Sequence, residues 1–351
     1  MGAENLHIQE NVPLAPLTTL RVGGKARFFV RAENIGDVEA AVAFARGREL
    51  PLFVLGGGSN LLVSDRGWDG MVIQVGVHGI NERQGESKTF FEVGAGVDWD
   101  AFVAHCVERN CGGIECLSGI PGSVGGTPVQ NVGAYGQEVS QTTASVLAFD
   151  LAENRVRELT AAECEFSYRG SIFNTSQRER YIILRATYML SSNSTPSLGY
   201  RDLQEYFAGR DGAPTLAQVR DAVRKIRASK GMLLAAGDPG SAGSFFKNPV
   251  LSASQHEELV SRAAKRGLEV PSYPALSSQR KISAAWLVEN SGFSKGYVRG
   301  RAGISSKHAL AIVNLGGATA AEIVGLKDEI QAEVERAWGV RLETEPVFVG
   351  F

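Results

Sequence analysis

Residues 118–138 read Ser-Gly-Ile-Pro-Gly-Ser-Val-Gly-Gly-Thr-Pro-Val-Gln-Asn-Val-Gly-Ala-Tyr-Gly-Gln-Glu, with six glycines, two prolines and almost no charge. Neither an amphipathic helix nor an alternating strand has this pattern. Glycine admits positive φ, so successive backbone N–H groups can converge on one point. That surface suits an anion needing close backbone approach, and a diphosphate is the usual one. A plain surface loop is the alternative, but it has no need of Ile120, Val124, Val129, Val132 or Tyr135.

A second glycine cluster lies upstream. Pro51–Leu55 reads as a short buried strand running into Gly56, Gly57, Gly58, Ser59 and Asn60, after which Leu61-Leu62-Val63 is apolar again. This is strand, nest-forming turn, strand. It is neither the Gly-x-Gly-x-x-Gly dinucleotide fingerprint nor a phosphate loop with Gly-Lys-Ser/Thr. Alone it is a tight turn as often as a ligand site; two such clusters favour one dinucleotide gripped from two sides.

The chain has 351 residues, 44% of them hydrophobic, enough for two or three domains. A net charge of −2 gives no broad basic field, so nucleic acid is not expected as a partner. No window is long and apolar enough for a membrane span, and residues 1–7 show no secretory pattern. Cys106, Cys111, Cys116 and Cys164 make no Cys-x-x-Cys pair, and no histidine lies at metal-ligand spacing, so no metal is expected. Cys106 reads as a core thiol, and a cytoplasmic setting fits.

Periodicity predicts strands at Arg27–Arg31, Leu52–Leu55, Met71–Val75, Phe90–Val93, Ser145–Asp150 and Tyr181–Leu190. It predicts helices at Asp37–Arg46 and Asp98–Val107, with a short one near Ala161. Ala213–Lys230 is helical with a Thr215/Gln218 capping box, and its basic end suits either the helix dipole or an anion near Lys230. A loop over Gly231–Gly243 leads to helices at Ser252–Arg266 and Ser283–Asn290. A strand at Ala309–Asn314, a helix capped by Thr319 and Glu322, and a last strand at Pro346–Val349 complete the chain. The fold class is α+β.

Three constellations carry chemistry. In Tyr168-Arg169-Gly170-Ser171-Ile172-Phe173, the Arg169 fork suits a carboxylate, or a structural ion pair. In Gly243-Ser244-Phe245-Phe246-Lys247-Asn248-Pro249, Ser244 is a shielded hydroxyl able to protonate a strongly basic intermediate, or a turn cap. In Leu342-Glu343-Thr344-Glu345, alternation sends both glutamates to one face, as a carboxylate pair, as one carboxylate in a site, or as surface charge. The histidines (7, 78, 105, 256, 308) are scattered, and none reads as a general-base partner.

Together these motifs resemble the UDP-N-acetylenolpyruvoylglucosamine reductases. The likeness runs from Thr18–Gly24 through Leu55–Asn60, Ile120–Gly126, Gln130–Gly136, Tyr168–Phe173 and Gly243–Pro249 to Leu342–Glu345. One glycine run is weak evidence; seven motifs in the family's order are specific. The resemblance implies an FAD-binding domain of the vanillyl-alcohol oxidase/p-cresol methylhydroxylase type. Its two α+β lobes would span 1–75 and 76–230, a substrate-binding domain would span 231–344, and a strand at 345–351 would return to the first lobe.

It further implies noncovalent FAD held by Gly56, Gly57, Gly58, Ser59, Asn60, Leu61, Ile120, Pro121, Gly122, Ser123, Gly125, Gly126, Gln130, Asn131, Gly133, Ala134 and Tyr135. NADPH would give a hydride to FAD, and the enolpyruvyl ether would then be reduced to UDP-N-acetylmuramate for peptidoglycan. Arg169 would hold the enolpyruvyl carboxylate, Glu345 would act protonated or as an orienting partner, and Ser244 would protonate C2. Tyr168, Tyr200, Lys230, Asn248 and His308 would contact substrate. Gly170 stands where relatives often have Asp, and His308 where some carry Gln. The implied partners are small molecules, with no membrane and no obligate protein. Alternatives are another FAD oxidoreductase of this fold, a noncatalytic FAD- or nucleotide-binding relative, and a serine hydrolase, which the missing Gly-x-Ser-x-Gly elbow disfavours.

Overall fold

A computed structural model describes residues 6–351 except 197, 236, 276 and 277. The start of the stretch read for a leader and residue 236 of the expected 231–243 loop lie outside the described residues. The chain divides into two compact units. The first takes in Ala26–Gly58 and Asp69–Leu233 with the N-terminal segment up to Val12; the second takes in Pro13–Lys25, Ser59–Trp68 and Leu234–Phe351.

In the first unit, one sheet has the strand order Gln9–Pro13, Lys25–Ala32, Trp68–Val75, Leu52–Leu55, the last two parallel. Helix α1 (Ile35–Arg46) starts at Asn34, whose side chain accepts from Asp37 N, and buries Val38, Ala41, Val42 and Ala45. A second sheet runs Arg155–Thr160, Thr143–Asp150, Tyr181–Ser192, Lys88–Gly94, Ile80–Gln84, all antiparallel. One core joins Val30, Met71 and Ile73 to Val146, Phe149 and Ile182. Another packs Phe91 and Tyr188 against Trp99, Phe102 and Val103 of α2 (Trp99–Glu108). Val124 and Val132 of the glycine-rich stretch belong to this second core. The stretch is therefore anchored at its apolar positions and is not a linker. Helices α3 (Arg201–Phe207) and α4 (Leu216–Ser229) close the unit, α4 with the expected Thr215/Gln218 box.

In the second unit, α5 (Ala253–Ala264), α6 (Ala284–Glu289) and α7 (Ala320–Trp338) share a core with Phe245, Phe246, Ile304 and Ile312. Helix α7 buries Ile323, Leu326, Ile330, Val334 and Trp338, each worth roughly 1.5–3 kcal/mol of apolar transfer. It ends at Gly339, whose φ of 70° is the left-handed cap that glycine adopts without cost. Short strands Gly240–Ser241, Ile312–Asn314, Ala302–Ile304 and Val298–Arg299 form its main sheet. The final strand, Val347–Val349, pairs in parallel with Leu61–Val63.

The short helix expected near Ala161 is a single turn. Thr160 O accepts from Cys164 N, and Glu165 then enters the left-handed region at φ 46°, which stops propagation. Strands Ile80–Gln84 and Arg155–Thr160 escape the periodicity because they are sheet edges with little buried surface. All four cysteines are buried thiols, and burial pushes Cys164 up to about 12.

The α7 capping box is testable by pH. Backbone N–H groups of Thr319 and Arg301 hold the Glu322 carboxyl down to about 2. A depressed folded pKa stabilises above the ordinary glutamate range, and that contribution is lost as pH falls towards about 2. Glu322→Gln should therefore lower the thermal midpoint at pH 7 by a few degrees and by much less at pH 3. A gap of equal size at both pH values would refute the assignment.

Candidate active site

In the first unit the two glycine clusters face each other. A Cβ on Gly57 would lie 2.6 Å from Gly122 Cα and 2.8 Å from Ser123 N, and one on Gly56 would lie 2.9 Å from Ser123 Oγ. Only bare backbone fits here. The 118–126 segment is held along residues 95–99: Trp99 N donates to Gly122 O (3.1 Å), Val124 N to Val97 O (2.9 Å) and Gly125 N to Ala95 O (2.9 Å). Trp99 Nε1 donates to Leu117 O at 3.0 Å. Gly119 is gripped at both ends of its peptide, with its N–H on Asp100 (2.6 Å) and its C=O on Arg227 Nε (3.1 Å).

The Arg169 turn is fastened to the same loop. Ser167 and Gly170 exchange backbone hydrogen bonds, so Tyr168 and Arg169 form the tip, with Arg169 at φ 56°. That position in such a turn usually carries glycine or asparagine, so its occupation by arginine stores strain at the tip. Arg169 Nη2 donates to Gly133 O (2.9 Å), Asn131 Nδ2 to Ser167 O (2.9 Å), and Ser171 Oγ to Val129 O (2.7 Å). Asn174 caps the turn from below, its Oδ1 accepting from Ser171 N and its Nδ2 donating to Arg169 O. Gly170 thus leaves the turn anchored by Asn174. Tyr168 is exposed, with the Arg169 guanidinium 5.4 Å from its ring.

Tyr200 and Lys230 come together with Tyr135. The Tyr135 and Tyr200 rings meet edge to face at 5.4 Å, and Lys230 Nζ is 6.0 Å from the Tyr135 ring. Lys230 is ion-paired with Asp202; burial works to lower its pKa, but the Asp202 partner outweighs that and raises it. Burial pushes the Tyr135 phenol up.

In the second unit Ser244 Oγ lies 3.1 Å from His308 Nε2. The sequence reading dismissed every histidine as a partner for this serine, because 64 residues separate the two. The contact is nevertheless not a nucleophile–base pair. Leu310 N donates to His308 Nδ1 at 3.3 Å, so the neutral ring carries its hydrogen on Nε2 and presents a donor to the serine. A hydrolytic triad needs the opposite tautomer. Asn248 Oδ1 accepts from Ala284 N at 2.9 Å, fixing the start of α6. The two glutamates part company: Glu343 is exposed beside Lys247 Nζ (3.6 Å). Glu345 is half-buried, its N on Phe245 O (3.0 Å) and its O accepting from Asn60 Nδ2 (3.1 Å). Asn60 O also accepts from Val347 N, and Leu61 pairs with Val347, so both serve the 345–349 segment.

A family model for an FAD binding domain matches residues 26–158, and one for the C-terminal domain of UDP-N-acetylenolpyruvoylglucosamine reductase matches 235–349. The reductase of Thermobifida fusca is 46% identical over 348 residues, covering 97% of each chain. That of Streptomyces coelicolor is 43% identical, covering 97% of this chain and 90% of its own. The chain belongs to the UDP-N-acetylenolpyruvoylglucosamine reductase family. The crystal structure of the Thermus caldophilus reductase covers 98% of this chain at a TM-score of 0.69 and 26% identity. The α+β reading, with an FAD-binding domain ahead of a family-specific C-terminal domain, stands on these matches.

The first unit fits an FAD diphosphate. Ser123 Oγ is buried without a hydrogen-bond partner among the described residues, between the two bare glycine backbones. A buried unmatched hydroxyl costs about 1–3 kcal/mol unless something meets it. Sequence reasoning missed the supports of this loop: Asp100, Arg220, Arg224 and Arg227. Only Arg224 and Arg227 carried a signal, as part of the basic end of α4. Gly57→Ala must push apart two main chains; we expect a folded protein whose FAD affinity falls at least tenfold, read by visible absorbance after FAD titration. Unchanged affinity would remove this loop pair from the cofactor site.

Proposed function

We propose that this protein is the oxidoreductase that reduces UDP-N-acetylglucosamine enolpyruvate to UDP-N-acetylmuramate with NADPH and noncovalent FAD, a step towards peptidoglycan precursors. What supports it most is the match to reductases of that name over 97% of the chain. Arg169, Ser244 and Glu345 all stand at the family's motif positions. When bound, the flavin supplies the hydride chemistry between the nicotinamide and C3 of the enolpyruvyl group.

The chain's residues supply position, charge and a proton. Gly56, Gly57 and Gly58, with Ser123 and the 120–135 loop, hold the cofactor by backbone N–H groups. Arg169 binds the enolpyruvyl carboxylate through its fork and offsets the negative charge that grows there during reduction. Its strained backbone is overdetermined by Asn131, Asn174 and Gly133, which keep it in place. Ser244 gives its hydroxyl proton to C2; so weak an acid suffices only because the carbanionic centre is strongly basic. Glu345 serves as a protonated or orienting carboxyl, since a bare carboxylate would repel the enolate. Tyr168, Tyr200, Lys230 and Asn248 contact the substrate, with Lys230 exchanging Asp202 for an anionic partner.

Anaerobic stopped-flow on the purified protein tests the reading. NADPH should bleach the flavin, and UDP-N-acetylglucosamine enolpyruvate should restore its colour without oxygen. In Ser244→Ala, bleaching should persist while reoxidation slows by roughly 10²–10⁴-fold. Bleaching without reoxidation in the unmodified protein would rule out the substrate, and a protein that takes up no FAD would rule out the whole scheme.

A further inference from the structure

Ser244 and His308 are registered to one another by a single residue. Leu310 N–H donates to His308 Nδ1 at 3.3 Å, and Leu310 C=O accepts from Phe245 N at 2.7 Å. One residue, Leu310, therefore holds the imidazole with its N–H and the residue after Ser244 with its C=O. Ahead of Ser244, Gly243 takes φ 77° and its N–H donates to Ser241 Oγ at 3.0 Å, fixing the approach. Between these supports, His308 Nε2 and Ser244 Oγ meet at 3.1 Å, both half-buried.

We propose that His308 is a positioning residue for Ser244: its Nε2–H donates to Oγ and turns the serine's own proton outward, towards the substrate. This rests on reading Ser244 as the proton donor. The argument is one of donors and acceptors. A serine hydroxyl has one hydrogen and two lone pairs. With one lone pair taken by Nε2–H, the hydroxyl hydrogen cannot point at the ring and must seek another acceptor. An imidazolium would need a hydrogen on Nδ1 as well, set against the Leu310 N–H. With Nδ1 accepting from Leu310 N, the ring's donor to the serine is Nε2–H.

The same contact serves the chemical step. The Ser244 O–H bond breaks and a C–H bond forms at C2, using the electron pair left there when hydride adds at C3. The serine is left as an oxyanion, which Nε2–H continues to hydrogen-bond until water returns the proton. A donor already aimed at the atom where charge appears favours the transition state over the ground state. A role for His308 solely in gripping the UDP moiety predicts different behaviour, so the two can be separated.

The experiment uses the FAD-loaded, NADPH-reduced protein mixed anaerobically with UDP-N-acetylglucosamine enolpyruvate. The variants are Ser244→Ala, His308→Ala, His308→Gln and the Ser244→Ala/His308→Ala double, each checked for its thermal midpoint. His308→Ala should lower the limiting reoxidation rate at least tenfold while the half-saturating substrate concentration moves less than about threefold. His308→Gln, which keeps an N–H donor, should recover most of the rate. In D₂O the slowing should be larger for His308→Ala than for the unmodified protein, because proton transfer has become limiting. The double variant should be no slower than Ser244→Ala, since His308 acts only through the serine.

A raised half-saturation with an unchanged limiting rate would overturn the proposal, as would a double variant in which the two losses multiply. If Ser244→Ala is slow but His308→Ala is not, only the positioning role fails. If Ser244→Ala itself reoxidises at the normal rate, the proton-donor reading fails and the role of His308 goes with it.

Discussion

In the first unit, two glycine-rich main chains approach closer than side chains permit. Gly57 stands against Gly122 and Ser123 with no room for a Cβ. A loop of ordinary residues would be held apart by several ångströms, and its N–H groups would face neighbours instead of a ligand. The approach has an entropic cost, because glycine loses more freedom on ordering than any other residue. The apolar residues between the glycines offset it: Val124 and Val132 are driven into the core beside Trp99 and Phe102, and they drag the bare backbone between them into place.

Small polar side chains then do what a regular ladder does elsewhere. The 128–140 segment has little sheet pairing, so its backbone groups find partners on side chains. Asn131 alone takes three bonds: to Glu138, to Ser167 O and from Ser140 N. Two of these bind the glycine loop to itself, and the third reaches the Arg169 turn. Two motifs separated by some thirty residues are thereby one structural piece. In the role proposed for it, the Arg169 guanidinium would need such support, because its value depends on being in place before the charge appears.

Most of the helices and several interior strands were legible because burial imposes a period, while α3 and the strand Ala302–Ile304 were not. The α1 face, the Thr215/Gln218 and Thr319/Glu322 boxes and strand Leu52–Leu55 lie where the sequence places them. The edge strands Ile80–Gln84 and Arg155–Thr160 were invisible because solvent on most of their surface relaxes that period. The Ser244–His308 contact was unreadable for another reason. It depends on where two loops of the second unit come to rest, and on the Leu310 N–H that points at the Nδ1 of the ring. Sequence reveals residue types, not the backbone donor that a folded loop brings to a ring nitrogen.

The basic end of α4 has more structural partners than either sequence explanation names. Helix-dipole compensation and an anionic ligand were the two explanations, yet each charge has a structural partner. Arg220 and Arg224 both reach Asp100. Burial works to raise the Asp100 pKa, but the Arg220 hydrogen bond, the Gly119 N–H and the two arginine charges prevail and hold it below the usual carboxylate range. Asp100 is thus kept ionised as an acceptor for Gly119 N, while buried Arg227 holds Gly119 O and Met232 O. Arg220, Arg224 and Arg227 are thereby spent on fixing Gly119 at the entry to the 118–138 loop, while Lys225 pairs with Asp221 and Lys230 with Asp202. Removing one arginine would leave Asp100 a second, whereas losing Asp100 would free Gly119 N and leave two half-buried cations repelling each other. The loop's position therefore rests on that single carboxylate more than on any one of the three arginines around it.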